Sequence, residues 1–207
     1  MFSKSLSDWI AIAIILFVSF PIHELAHAYT ADYYGDQTPR LNGRLSLNPL
    51  SHLDVWGSLM LVIAGVGWAK PVPVNEYELM RRNPMAPVFV AAAGPLSNLV
   101  LALIGAIPLR FGLVPLTGFL GGVVYTFVAI NLLLLVFNLI PLFPLDGEKV
   151  LAHLLPPDLR ARLLGLRRYG TLPLIVGLFI LPMLGIPLDA WLLGGPLRFL
   201  LRLLLGL

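Results

Sequence analysis

Apolar residues fall in long runs along this chain, and the runs differ in what interrupts them. The first extends from Trp9 through Phe20 and continues as Pro21 to Tyr29. It opens after Ser7-Asp8, residue types that cap helix starts. With its polar end included in the helix it is long enough to span a bilayer, which takes about 20 residues. A cleaved signal peptide would look similar, but the basic start is weak and no cleavage site precedes His23. Four later runs predict further spans: Pro87 to Pro108, Leu116 to Ile140, Thr171 to Leu184 and Leu188 to Leu207. The run from Val55 to Trp68 is short and carries Gly57, Gly65 and Gly67, so it predicts a helix that does not cross.

Between the first two core helices the pattern changes. Arg40 to Leu47 alternates around Asn42-Gly43, which predicts a β-hairpin. Lys70 to Asn75 reads as extended chain, and Tyr77 to Asn83 as a polar connector. The predicted fold is a mostly α, polytopic membrane protein with five to six transmembrane helices. A small membrane-associated hairpin or strand region would lie between the first and second core helices. It forms one domain over 1–207, with a core at 9–151 and C-terminal helices at 171–207.

Composition supports a membrane domain. Of 207 residues, 58% are hydrophobic and 12% charged, against about 25% charged in a soluble domain. No cysteine is present, so a transition metal would need histidine, carboxylate or other oxygen ligands. The net charge of +3 carries no aromatic-basic interleaving, so nucleic acid is not an expected partner.

The chemistry concentrates at His23-Glu24-Leu25-Ala26-His27. Histidines four apart share one helix face, so both imidazoles can reach one ion. Zinc accepts such ligands and keeps an open position for water. Glu24 is placed to take a proton from that water. Ionisable side chains at membrane depth cost about 2.5–3.5 kcal/mol each on insertion scales, which argues for a shared use. A third ligand is drawn from His52, Asp54, Asp146, His153 and Asp189. Asp146 fits best, because prolines and a glycine break the helix around it and can turn its carboxylate inward.

With these motifs on the page, the chain resembles the site-2 protease family of intramembrane metalloproteases. The resemblance rests on the HExxH segment, on Gly94-Pro95-Leu96-Ser97-Asn98, and on the Asn138…Pro144-Leu145-Asp146-Gly147 pattern, in that order. Gly43 to Pro49 and Trp68 to Asn75 are similar to compact prokaryotic members, which lack PDZ-like or nucleotide-binding modules. The resemblance implies zinc held by His23, His27 and Asp146, with Glu24 as catalytic base. It implies a substrate contact for Asn138; Asn98 is a further candidate, for substrate contact or for helix packing, and His52 reads as a structural residue that fixes the hairpin. It also implies a lipid setting and single-pass membrane proteins as substrates, cut within or near the bilayer. A non-hydrolytic membrane protein that binds or transports zinc is the alternative.

Charge gives an orientation. With five crossings, ten Lys and Arg fall on one side and two, Lys4 and Arg110, on the other. The basic side is expected to be cytoplasmic in a multi-pass cell-membrane protein. The N-terminus is then outside, and the active site opens toward the cytoplasm.

Overall fold

The computed structural model describes residues 6–64 and 67–206. Lys4, Gly65 and the side chains of Ser7 and Asp8 lie outside the described residues.

The first helix is built in two parts. α1 (Leu6–Ile14) passes through a π-helical turn, Ile15–Ser19, into α2 (Phe20–Tyr33). Pro21 has no N–H to give to the preceding turn. The ladder widens there, and the Phe20 N–H reaches the Ile15 carbonyl. Ile12–Tyr33 then forms one 22-residue apolar helix.

α3 (Thr38–Leu41) follows, and it corrects the hairpin expectation. Among the described residues there is no strand ladder; one isolated bridge joins Leu53 to Ala69. The Asn42-Gly43 pair ends a helical turn instead. Gly43 has φ +67°, its N–H reaches the Arg40 carbonyl at 3.0 Å, and the Arg44 N–H reaches Pro39 at 2.8 Å. That is the double hydrogen bond of a glycine C-cap. A left-handed glycine serves a hairpin turn and a helix end equally well, and here the helix takes it.

The extended segment at 70–75 is anchored from the side. The buried Arg44 guanidinium donates to the carbonyls of Ser51, Lys70 and Pro71 at 2.7, 3.2 and 3.2 Å. The buried Asp36 carboxylate accepts from the Asn75 N–H at 2.6 Å and the Thr38 N–H at 2.9 Å. α4 (Val55–Ala64) has 10 residues, about 15 Å at helical rise, and is too short to cross a bilayer.

α5 (Glu76–Arg82) leads into α6 (Ala86–Arg110), which is central: it packs on α2, on α7 (Phe119–Asn138) and on α8 (Asp146–Leu154). Ala102 and Ala106 let α6 approach Val128, Leu132 and Leu135 of α7 closely. Leu201 and Leu205 of the last helix close this core.

The number of spans is also corrected. Among the described residues three helices are long and apolar enough to cross: Ile12–Tyr33, Ala86–Arg110 and Phe119–Asn138. A fourth is reached only if Pro157–Tyr169 and Leu172–Met183, bent by 83°, count as one. Five to six crossings are therefore not supported among the described residues. The run from Thr171 to Leu184 forms one short helix, Leu172–Met183, with a π-turn at Val176–Ile180, and is too short to cross by itself. The last run is continuous helix over 188–205, through a π-turn at Ala190–Gly194, but Asp189, Arg198 and Arg202 interrupt its apolar character and it is not among the membrane-length apolar helices.

Candidate metal centre

His23 and His27 stand one turn apart on α2, buried, with ring centroids 4.7 Å apart and planes crossing at 82°. Asp146 arrives from the far end of α7. After Asn138 the chain runs through Pro141 and Pro144, which cannot continue a helix, and α8 opens at Asp146. Gly147 makes the turn possible, because a Cβ there would collide with the Leu139 carbonyl. Asp146 thus lies in the first turn of α8, where the helix dipole favours a carboxylate. Glu148, beside it, is buried and takes a two-pronged pair from Arg167 at 2.7 and 2.8 Å, tying α8 to the following segment.

The three side chains form a tight triangle. His27 Nε2 is 3.1 Å from His23 Nε2 and 3.1 Å from Asp146 Oδ2, and His23 Nε2 is 3.3 Å from the same oxygen. Two donors about 2.0–2.1 Å from a tetrahedral zinc ion stand about 3.3 Å apart, so the spacing fits one ion. Gly94 of α6 keeps the space clear: a Cβ there would press on His27 Nε2 and lie 2.6 Å from His23 Nε2. The other ring nitrogens are engaged. His23 Nδ1 is 2.6 Å from Asn98 Oδ1, and His27 Nδ1 donates to the Val90 carbonyl at 2.6 Å. Such partners orient imidazole ligands and leave Nε2 for a metal. Burial works against a charge on Asp146, but the neighbouring imidazoles and Lys149 hold its carboxyl below the usual carboxylate range.

Glu24 is buried beside this group, and its Oε2 accepts the Val72 N–H at 3.1 Å. A cavity of about 290 Å³ opens over the triangle, lined by His23, Glu24, His27, Val72, Asn138 and Asp146 among others. Asn138 faces it, with its amide nitrogen donating to Leu134 C=O at 3.0 Å. Asn98 is reached through His23 and lies behind the triangle.

The remaining third-ligand candidates lie outside this group. His52 Nε2 donates to the Ser46 carbonyl at 2.8 Å. Asp54 accepts from the Gly57 N–H at 2.8 Å, and His153 Nδ1 is 2.9 Å from the Lys149 carbonyl. Asp189 precedes the turn Ala190–Gly194. Sequence reasoning missed the clearance supplied by Gly94, the backbone contacts of Val72 and Val90, and Asn131, which hydrogen-bonds Asn98. Asn131 alone left a readable signal, as a lone amide inside an apolar run.

No family model and no solved structure matches the chain. Curated proteins do. YwhC of Bacillus subtilis, named as a zinc metalloprotease, is 43% identical over 179 residues, covering 83% of this chain and 81% of that protein. The chain belongs to the site-2 protease family. The zinc metalloprotease MJ0392 of Methanocaldococcus jannaschii is 31% identical over 147 residues, 71% of this chain and 35% of that longer protein. Rip2 of Mycobacterium tuberculosis, also named as a zinc metalloprotease, is 31% identical over 180 residues, 86% of this chain and 68% of that protein. This member is a zinc metalloprotease, and its long apolar helices make it a multi-pass membrane protein.

Proposed function

We propose that His23, His27 and Asp146 hold the catalytic zinc, that Glu24 is the general base, and that the protease cuts single-pass membrane proteins within or next to the bilayer. The observation that carries this reading is the donor triangle. Two of its corners lie on a membrane-length helix, and the third lies just past the end of another. Bound zinc would supply Lewis acidity, making a water nucleophilic near neutral pH and polarising a carbonyl. The residues divide the remaining work. The Glu24 carboxylate takes a proton from the attacking water as its oxygen bonds to the scissile carbonyl carbon. It then returns a proton to the amide nitrogen as the C–N bond breaks. The Val72 N–H holds one Glu24 oxygen in place for both transfers. Asn138, on the cavity wall, is placed to hold the substrate backbone.

The three spans alternate in direction, so Tyr33, Ala86 and Asn138 end on one side. Arg40, Arg44, Lys70, Arg81, Arg82 and Lys149 lie in the connections on that side, and Arg110 ends α6 on the other. By the positive-inside rule that side is cytoplasmic, so the site opens to the cytoplasm and the N-terminus lies outside.

The test is cleavage in reconstituted vesicles of a single-pass substrate, with the products mapped by mass. Cuts inside the hydrophobic segment or within a few residues of it are expected. Cuts confined to a soluble tail, matched by equal cleavage of a soluble peptide, would overturn the intramembrane reading.

A further inference from the structure

Asn131 is fully buried in the middle of α7, a span whose neighbours from Ile130 to Phe137 are otherwise apolar. Its side chain belongs to a chain of hydrogen bonds that ends at the metal centre. Asn131 Nδ2 donates to the Phe127 carbonyl at 2.9 Å, Asn98 Nδ2 donates to Asn131 Oδ1 at 3.0 Å, and Asn98 Oδ1 lies 2.6 Å from His23 Nδ1.

The direction of this chain is dictated from its far end. A backbone carbonyl only accepts, so the Asn131 group facing Phe127 must be the NH₂. Asn131 then turns its oxygen to Asn98, and an oxygen there requires the Asn98 NH₂. Asn98 in turn presents its oxygen to His23, which must donate from Nδ1. A proton is thereby placed on His23 Nδ1, and Nε2, which faces His27 Nε2 and Asp146 Oδ2, is the nitrogen left for a metal. His27 reaches the same state by a shorter route, with Nδ1 donating directly to the Val90 carbonyl. An amide such as Asn98 can satisfy an imidazole with either end, so without Asn131 nothing would hold it in the useful orientation.

We infer that Asn131 is a positioning residue that fixes the His23 tautomer through Asn98, and so sets the readiness of Nε2 to bind zinc. The inference rests on His23 being a zinc ligand only in its last clause. The tautomer itself is a property of the metal-free protein.

The experiment is ¹⁵N NMR of the histidine side chains in metal-free, detergent-solubilised full-length protein, near pH 8, where free imidazoles are neutral. Only four histidines are present, so each can be assigned by single substitution. In the wild type, Nδ1 of both His23 and His27 should carry a proton. In Asn131→Leu, which keeps the volume and removes the amide, His23 should shift toward the Nε2–H tautomer while His27 stays unchanged. Zinc affinity, measured by chelator competition, should fall by about 10–100-fold, as for loss of other outer-shell partners.

A rescue separates positioning from packing. Asn98→Asp offers an acceptor oxygen whichever way it turns, so adding it to Asn131→Leu should restore the Nδ1–H tautomer of His23. The unchanged His27 signal reports that the fold is intact. If Asn131→Leu does not fold, Asn131→Asp takes its place. It keeps an acceptor for Asn98, and when protonated a donor for Phe127, and should leave His23 unchanged. A His23 whose Nδ1 keeps its proton in Asn131→Leu, or lacks one in the wild type or in Asn131→Asp, overturns the inference. Zinc affinity that survives His23→Ala would instead overturn the ligand assignment and leave the tautomer result standing.

Discussion

Replacing Glu24 with Gln is expected to leave zinc bound and to abolish peptide-bond cleavage. The substitution keeps the shape of the side chain and an oxygen that can still accept the Val72 N–H. What it removes is basicity. Glu24 is one residue from His23, so it sits at the edge of the donor triangle without being part of it. The loss should appear in kcat and amount to at least the about 10²–10⁴-fold that a positioned general base contributes. It is measured by zinc content and cleavage of a model transmembrane substrate, side by side for wild type and Glu24→Gln. Cleavage retained in the variant would remove Glu24 from the mechanism. Zinc lost from the variant would make Glu24 a ligand and not a base.

Gly94→Ala is the second change with a large expected effect, because two consequences of one methyl group oppose each other. In the interior of a helix, Ala is favoured over Gly by about 1 kcal/mol. Gly94 lies inside α6, so backbone propensity alone predicts a slightly more stable helix. The added Cβ, however, points between the two Nε2 atoms, where the metal is proposed to sit. The expected result is a folded, metal-free protein, with zinc affinity down by more than about 100-fold, beyond the loss of one outer-shell partner. Thermal unfolding of the metal-free form and zinc titration measure the two effects separately. Normal zinc affinity in Gly94→Ala would mean that the ion sits elsewhere.

The site was more legible in the sequence than the fold. The spacing of His23, Glu24 and His27 is a helix property, and α2 realises it without further help. Asp146 was readable because prolines flank it in a run that otherwise continues as helix. The structure adds the reason for the following glycine, which lets α8 close against the end of α7. The hairpin was not readable, because Asn42-Gly43 serves two geometries. Which one wins depends on whether residues 38–41 have already turned into a helix. The span count failed for a different reason. Apolar length is not helical length: the helix after Thr171 covers only Leu172–Met183 and bends by 83° from the helix before it. Apolarity reports the surroundings of a segment, and only an uninterrupted backbone ladder reports a span. Contacts made by backbone atoms, such as Val72 on Glu24 and Val90 on His27, leave no mark in residue identity at all.

The arrangement also explains why the centre needs three elements at once. α2 supplies the imidazoles, α6 supplies their orienting partners and the clearance at Gly94, and the end of α7 delivers the carboxylate. Asn98 and Asn131 lock α6 to α7 at the level of the site, so the helix packing that forms the core also sets the ligand geometry.

The central claim, a zinc ion held by His23, His27 and Asp146, is tested most directly by zinc X-ray absorption of the purified protein. The account predicts one zinc per chain, with two imidazole nitrogens at about 2.0–2.1 Å and oxygen ligands at about 2.0–2.2 Å. It also predicts loss of the ion in Asp146→Ala. A first shell with one imidazole or with three, or an unchanged spectrum in Asp146→Ala, would contradict it.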